Sequence, residues 1–328
     1  MSTQKLKFAF YWAASCGGCE VAVLDVDEKI LDVVAIADIV FWPVAIDIKY
    51  KDVEAMPDKS IDVCFFNGAV RNEEQEYLAK LLREKAKVLV AFGSCAHQGG
   101  IPGLANVADK KEIFDTVYLT NPSTVNPNGV VPQTRTKVPE GELVLPEFYD
   151  TVRALNQVVD VDYYLPGCPP HPKRIAGAVE AIAKGALPPK GSVLGPDKSV
   201  CDECPRKKEE KKISKIYRTY ELVPQPERCL LEQGIICMGP ATRGGCEAQC
   251  ISANSPCTGC GGPCPRETEQ GAAMMSALAS IMGLEEEKEK DFNPQKLIDQ
   301  VKDPLGTFYR YSLPTSILRR RVMKNCKK

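Results

Sequence analysis

Seven of this chain's fifteen cysteines fall between positions 229 and 264: Cys229, Cys237, Cys246, Cys250, Cys257, Cys260 and Cys264. Cys201-Asp-Glu-Cys204 stands just upstream, and a second CxxC, Cys16-Gly-Gly-Cys19, lies near the start. No other feature constrains the fold as tightly. A stretch so rich in thiols has to be ordered by disulfides or by metal. The total is odd, so complete pairing within one chain is impossible. The opening residues, MSTQKLKFAFYWAAS, run from an apolar stretch straight into the first CxxC, with no small-residue cleavage site before it. Residues 6–14 therefore read as a first strand, and a cytoplasmic location is expected. Thiols there are kept reduced, so the cysteines read as ligands. Short spacings of this kind suit several iron–sulfur clusters.

The bulk properties exclude other classes. Lys and Arg number 42 against 43 Asp and Glu, a net charge of −1, which leaves no electrostatic footprint for nucleic acid. No uninterrupted apolar run reaches the roughly 18 residues a membrane span requires. At 328 residues the chain is long enough for two domains.

Periodicity divides the chain near residue 190. Up to that point strand and helix signals alternate. Strands are predicted at 6–14, 39–46, 61–66, 88–92 and 159–165, and helices at 21–36, 72–85 and 172–184. Residues 121–150, rich in Pro, Asn and Gly, read as a long surface excursion. Such alternation argues for an α/β fold with a parallel sheet covered on both faces. Ligands of such sheets gather beyond the carboxyl ends of the strands. Cys16 and Cys19, Cys95, and Cys168 each follow a predicted strand, so three distant places converge on one rim. Residues 185–215 read as a linker zone. Beyond it regular patterns weaken, apart from a helix near 270–282, and bound metal is the expected source of order. Domains 1–190 and 191–328 follow. The basic end, Arg319-Arg320-Arg321 to Lys328, reads as a solvated tail.

The thiols sort into three sets. Cys16, Cys19, Cys95 and Cys168 make four, the number a 4Fe–4S cluster needs. Gly17 and Gly18 let the backbone turn and approach the cluster closely. Zinc also takes four thiolates, but structural zinc usually employs two closely spaced pairs, and here one pair joins two isolated cysteines. Cys201, Cys204, Cys229 and Cys237 form a second set; alone it would suit zinc, and its neighbours favour a cluster. The third draws on Cys246, Cys257 and Cys260, with Cys250 or Cys264 as fourth ligand, and spacing leaves that choice open. Cys64, inside an apolar run, reads as a buried free thiol, and Cys326 as idle. His97 and His171, beside the first set, read as surface residues or as hydrogen-bond partners of a sulfur. The chain has no Ser-His-Asp constellation, no P-loop, and no GxGxxG after the first strand. No catalytic residue is assigned. Three clusters without a substrate pocket make a relay, so the chemistry at the electron source belongs to another subunit.

Longer motifs carry a resemblance. Cys16-Gly-Gly-Cys19, Gly93-Ser-Cys95-Ala with Gly99-Gly100-Ile101-Pro102-Gly103, Leu165-Pro-Gly-Cys168-Pro-Pro, Cys237-Met-Gly-Pro-Ala-Thr-Arg-Gly-Gly-Cys246 and Pro256-Cys257-Thr-Gly-Cys260 together resemble the small subunit of nickel–iron hydrogenases. The nearest type is the cytoplasmic, methyl-viologen-reducing one that does not reduce the deazaflavin coenzyme. The resemblance implies a flavodoxin-like doubly wound parallel sheet followed by an irregular iron–sulfur cluster domain. It implies three 4Fe–4S clusters: proximal on Cys16, Cys19, Cys95 and Cys168, medial on Cys246, Cys250, Cys257 and Cys260, and distal on Cys201, Cys204, Cys229 and Cys237. It implies a partner large subunit holding the nickel–iron centre, a small iron–sulfur acceptor subunit, and heterodisulfide reductase beyond it. Periplasmic and membrane-bound members differ: they carry a histidine where Cys201 stands, a proline where Cys250 stands, and a twin-arginine leader, which this chain is expected to lack. Two neighbours share the fold, the deazaflavin-reducing and the nicotinamide-linked hydrogenases. The complex I subunit with one terminal cluster fits less well, because it normally has adjacent cysteines and lacks a cysteine-rich second half. A zinc-binding scaffold is the alternative outside redox chemistry.

Overall fold

The computed structural model describes residues 5–209, 212–282 and 294–320. Its centre is a five-stranded parallel sheet: β1 (Leu6–Trp12), β2 (Ala37–Phe41), β3 (Ile61–Asn67), β4 (Ala86–Phe92) and β5 (Tyr163–Leu165), in the order β2-β1-β3-β4-β5. That is the strand order of flavodoxin-like doubly wound sheets. Successive side chains of a strand point to opposite faces, and both faces here are apolar. Phe8, Phe10, Val63, Phe65, Val90 and Phe92 pack on one side beneath helices α1 (Gly18–Leu24), α2 (Ile30–Ile36) and a helix described below. Ala9, Tyr11, Cys64, Phe66, Leu89 and Ala91 pack on the other, against the inner side of α3 (Glu73–Lys85). The register pairs Phe10 with Phe65 and Phe65 with Val90, so all five strands finish along one rim.

Local chemistry sets the helix ends. Asn72 caps α3: its side-chain oxygen accepts from the Gln75 N–H at 2.9 Å, and the Gln75 side chain accepts from the Asn72 N–H at 3.2 Å. Acidic Glu73, Glu74 and Glu76 lie in the first turn and basic Arg83 and Lys85 in the last, each sign matched to the helix dipole. After β4 comes α4 (Gly93–Gln98), and after β5 comes α5 (Pro172–Ala183), whose Ile175 and Ala178 join the first face.

Several elements are shorter than periodicity suggests. The helix expected over 21–36 is two, because Asp27 takes a left-handed backbone (φ 55°) between α1 and α2. The strand expected over 39–46 stops at Phe41, where Trp42 opens a turn closed by the Ala45 N–H on the Trp42 carbonyl. The strand expected over 159–165 begins at Tyr163. The Asp162 carboxylate ahead of it accepts from the Leu89 N–H at 2.8 Å, in place of a backbone carbonyl, and pairs with Arg83 at 2.6 Å. The excursion at 121–150 is not structureless: Arg135–Val138 and Gly141–Val144 form an exposed hairpin, and Phe148–Arg153 pairs with Val70–Asn72.

Past β5 the chain runs beside the sheet to Leu194, whose N–H bonds the Tyr164 carbonyl. The second half is built from short 3₁₀ turns and isolated bridges, with one longer helix, α6 (Gln270–Ile281). Its apolar cluster holds Leu230, Met238, Ile251, Met274 and Leu278, together with Cys237 and Cys257. The segment after residue 303 then returns to the first half. Pro314 sits so close over Gly99 and Gly103 that a Cβ on either would fall within 2.4 Å of it. Arg320 donates to the Thr151 hydroxyl, so the start of the basic end lies on the protein rather than in solvent. Positions 321–328, with Cys326, lie outside the described residues.

Candidate cluster-binding sites

The rim of the sheet gathers the first thiols. Cys16 and Cys19 sit on the turn after β1, where Gly17 has φ 81° and a Cβ would strike the Trp12 ring at 2.9 Å. Cys95 lies in α4, behind Gly93 (φ 84°), and Cys168 follows β5. The glycines leave space for sulfur: a Cβ on Gly93 would lie 2.3 Å from the Cys19 Sγ, and one on Gly100 2.5 Å from the Cys95 Sγ. The Cys16 sulfur accepts from the Gly18 N–H at 3.4 Å. Burial, then the charges of Cys95, Cys168 and Cys16, push the Cys19 thiol far above its ordinary value. Cys95 is pushed up to about 12, again by burial and then by Cys168 and Cys16.

Cys201, Cys204, Cys229 and Cys237 line one cavity of about 320 Å³, with Arg206 and Lys208 at its edge. Burial raises Cys201 to about 12 despite the nearby Lys208, and Cys237, Cys229 and Cys204 raise it further. A Cβ on Gly239 would crowd the Cys201 sulfur at 3.2 Å and touch the Cys237 sulfur at 3.6 Å.

Cys246, Cys250, Cys257 and Cys260 share a second cavity, of about 430 Å³, which Cys168 also lines. Burial raises Cys260 to about 12; the Cys168 N–H opposes that, while Cys168, Cys246 and Cys250 add to it. Cys264 lies apart. Its sulfur donates to the Pro240 carbonyl at 3.3 Å, and its charged neighbours are Arg243, Glu267 and Asp202. Cys64 is fully enclosed in β3.

Adjacent sets touch. The Ser94 hydroxyl, one residue before Cys95, donates to the Cys260 carbonyl at 2.6 Å. At the far side, the Cys257 N–H donates to the Cys237 sulfur at 3.3 Å. The first set therefore abuts the third, and the third abuts the second.

The donor chemistry fits iron–sulfur clusters. Buried thiols whose charges oppose one another do not ionise together unaided, and a cationic iron core removes that opposition. Among the described residues, no three His, Cys, Asp or Glu side chains converge tightly enough for a single metal ion. Thiols lining a 320 Å³ cavity leave room for something larger.

Polar residues that no local pattern flags hold these loops. Gln270, buried at the head of α6, donates to the Gly259 and Gly262 carbonyls at 2.9 and 3.2 Å and to the Thr242 hydroxyl at 3.1 Å, fixing the 257–262 loop. Glu20, beside Cys19, is buried and accepts from Trp42 and Asn67; burial raises its pKa against those two bonds. Tyr311 is buried near Cys168 and Cys260, and burial first, then those cysteines, push it up to about 12, with Thr258 opposing. The histidines are not plain surface residues. His97 packs on Tyr164 with ring centroids 4.9 Å apart, and its Nδ1 is enclosed without a hydrogen-bond partner. Burial, then Arg243 and Arg174, lower its pKa to about 3, so it is neutral near pH 7. His171 caps α5, its Nδ1 accepting from the Lys173 N–H at 3.2 Å, and meets Gln249 at 2.9 Å. The Tyr164 contact of His97 and the Gln249 contact of His171 were not legible, because those partners lie far away in sequence.

Residues 16–182 match the family of the NADH ubiquinone oxidoreductase, 20 Kd subunit. The iron-sulfur subunit of the F420-non-reducing hydrogenase of Archaeoglobus profundus is 44% identical, covering 97% of this chain and 99% of its own length. The corresponding F420-non-reducing hydrogenase chain of Methanothermobacter thermautotrophicus is 38% identical over 99% of both chains. Among solved structures, a chain of the [NiFeSe] hydrogenase of Desulfovibrio vulgaris Hildenborough shares the fold, with a TM-score of 0.50 and 18% identity, covering 80% of this chain and 95% of that one. Among the described residues, no helix is long and apolar enough to cross a membrane.

Proposed function

The chain belongs to the family of hydrogenase small subunits represented by its F420-non-reducing hydrogenase relatives, and we propose that its part in that enzyme is to carry electrons through three 4Fe–4S clusters. Small subunits of this family pair with a large subunit, on which the hydrogen-splitting site lies. A bound 4Fe–4S cluster supplies a one-electron couple. Cys16, Cys19, Cys95 and Cys168 would hold the proximal cluster, Cys246, Cys250, Cys257 and Cys260 the medial, and Cys201, Cys204, Cys229 and Cys237 the distal. The first set stands on the sheet module up to about residue 190, the other two on the module beyond it.

The observation that carries this reading is the contact between successive sets, Ser94 to Cys260 and Cys257 to Cys237. These contacts support an order in which the third set lies next to both the first and the second. The protein's own work is to supply N–H donors to sulfur and to hold the sets next to one another. The relatives are named for not reducing F420, which supports an acceptor other than that deazaflavin. A small iron–sulfur subunit, and through it heterodisulfide reductase, is the acceptor we propose. Rebuilt anaerobically with iron and sulfide, the isolated chain should bind about twelve irons and show no hydrogen uptake. Uptake by this chain alone, or single zinc ions in place of iron, would overturn the assignment.

A further inference from the structure

One long segment of the first region is ordered without a core. From Val107 to Thr151 no residue is buried, although Asn106 and Val152 on either side are. Its base is anchored. The Phe114 ring packs 5.7 Å from Tyr118 and 5.5 Å from Phe148, and Phe148 lies on the strand that pairs with Val70–Asn72. Its far part is held by its own polar groups. The Asn126 side chain donates to the Tyr118 and Val130 carbonyls at 2.9 and 2.7 Å and accepts from the Val130 N–H at 3.0 Å. The Thr124 hydroxyl donates to the Val117 carbonyl at 3.1 Å. Pro122, Pro127 and Pro132 each fix a backbone angle.

A loop built this way and facing only water should be charged, and this one is not. Positions 116–134 contain no Asp, Glu, Lys, Arg or His, in a chain that is 26% charged. Val125 is 95% exposed and Val130 67%, and Val117, Leu119, Leu143 and Leu145 are exposed as well. Loss of charge together with exposed apolar side chains marks the core of a protein interface. A loop already fixed in shape also loses little entropy on docking. Position and chemistry together say which partner. The segment leaves through the turns that follow Cys95 in α4. It returns on Phe148–Arg153, whose partner strand follows Ala69, and Ala69 bridges to Ala14, two residues before Cys16. Both ends therefore stand beside the first thiol set, whereas the second set, where the proposed relay ends, has the third between it and this rim. An uncharged apolar face suits a permanent partner, while a partner that exchanges is steered by charge.

We propose that residues 116–134 are a docking arm for the large subunit, laid against it beside the first thiol set and covered when the two chains assemble. This rests on the reading that the large subunit faces Cys16, Cys19, Cys95 and Cys168. The work of the arm is to hold the two chains together, with Val125 and Val130 as its apolar contacts and Asn126 keeping them presented.

The test uses the complex purified anaerobically with its large subunit, and iron is counted in every sample. A photoreactive benzoylphenylalanine in place of Val125 should cross-link to the large subunit on illumination, read by mass spectrometry. The double variant Val125→Asp, Val130→Asp puts charge into the arm at two exposed positions, where the chain's own fold is little affected. With the iron count unchanged, it should raise the dissociation constant between the two chains at least about tenfold, measured by mass photometry across a dilution series. The cross-link still decides if the double variant fails to fold. An unchanged dissociation constant overturns the proposal. So does a cross-link to a second copy of this chain, to an acceptor subunit, or to no protein at all. A wild-type preparation that carries no large subunit instead overturns the reading beneath it.

Discussion

Residues 6–194 and residues 199–282 present their thiols in opposite ways. In the first region the strands, the helices and two apolar clusters make a body in which the ligand thiols are confined to one rim. Of these thiols Cys19 joins an apolar cluster, and none of the four takes part in a strand pairing. In the second, no strand longer than an isolated bridge occurs among the described residues. Cys237 and Cys257 belong to its apolar cluster, with Cys204, Cys229 and Cys246 packed against it. There the thiols are part of what makes the interior. On the proposed assignment, one region offers its ligands from the rim of a paired sheet, and the other builds its interior around them.

The contrast breaks most directly on iron removal. Anaerobic chelation should leave the sheet region resistant to protease and open the second region to cutting between residues 199 and 282, since metal binding and folding are linked when the site is the core. Limited proteolysis read by mass spectrometry decides it. Equal protection of both regions would mean that the second also folds on its apolar cluster alone. Next in size is Gly93→Ala. Its φ of 84° is a left-handed conformation that alanine resists, and its Cβ would lie 2.3 Å from the Cys19 sulfur. The expected result is loss of one cluster, about four irons fewer per chain, with the visible absorption of the other two retained. A full iron count would show that the rim yields more readily than the sheet contacts suggest.

These two tests also mark what could be read in the sequence. Strand ends and the cysteines following them were legible because a buried parallel strand is a short apolar run and a CxxC after it is a local pattern. The α3 cap was legible for the same reason, since Asn72 and Gln75 are three residues apart. The break between α1 and α2 was not, because the left-handed turn at Asp27 carries no glycine. Nor was the late start of β5, where the Asp162 side chain reaches Arg83 and Leu89 across the sheet. Gln270, Ser94 and Tyr311 were missed for one physical cause: each holds a loop through a contact that no period or spacing records. His97 read as a surface residue or a partner of a sulfur, whereas Tyr164 and the second region cover it.

A smaller effect sharpens the comparison from the other side. Leu82 is wholly buried under the sheet, on the face of α3. Leu82→Ala should cost the first region about 2–5 kcal/mol, seen as a lower denaturant midpoint by circular dichroism. The charge-transfer absorption of the second region should bleach at its usual midpoint. Joint movement of both transitions would mean that the two regions unfold as one unit, with the returning segment around Pro314 strong enough to couple them.

The smallest expected effect concerns the surplus thiol. If the second region is ordered by what it binds, a cysteine outside the three sets should be dispensable even though it sits among them. Cys264 is such a residue: its sulfur meets the Pro240 carbonyl at 3.3 Å and lines neither thiol cavity. A serine hydroxyl can make the same bond, so Cys264→Ser should keep the full iron count and change stability by no more than about 0.5 kcal/mol. Cys250 differs by only fourteen positions in sequence, but it lines the cavity shared by Cys246, Cys257 and Cys260. Cys250→Ser removes the fourth thiolate, and a cluster held by three should lose one iron and gain the EPR signal of a 3Fe–4S centre in the oxidised state. If the two variants exchange behaviours, the loop carrying Gly261 and Gly262 must swing its cysteine inward once iron is bound. The second region would then be shaped by its ligand even more than its apolar cluster implies.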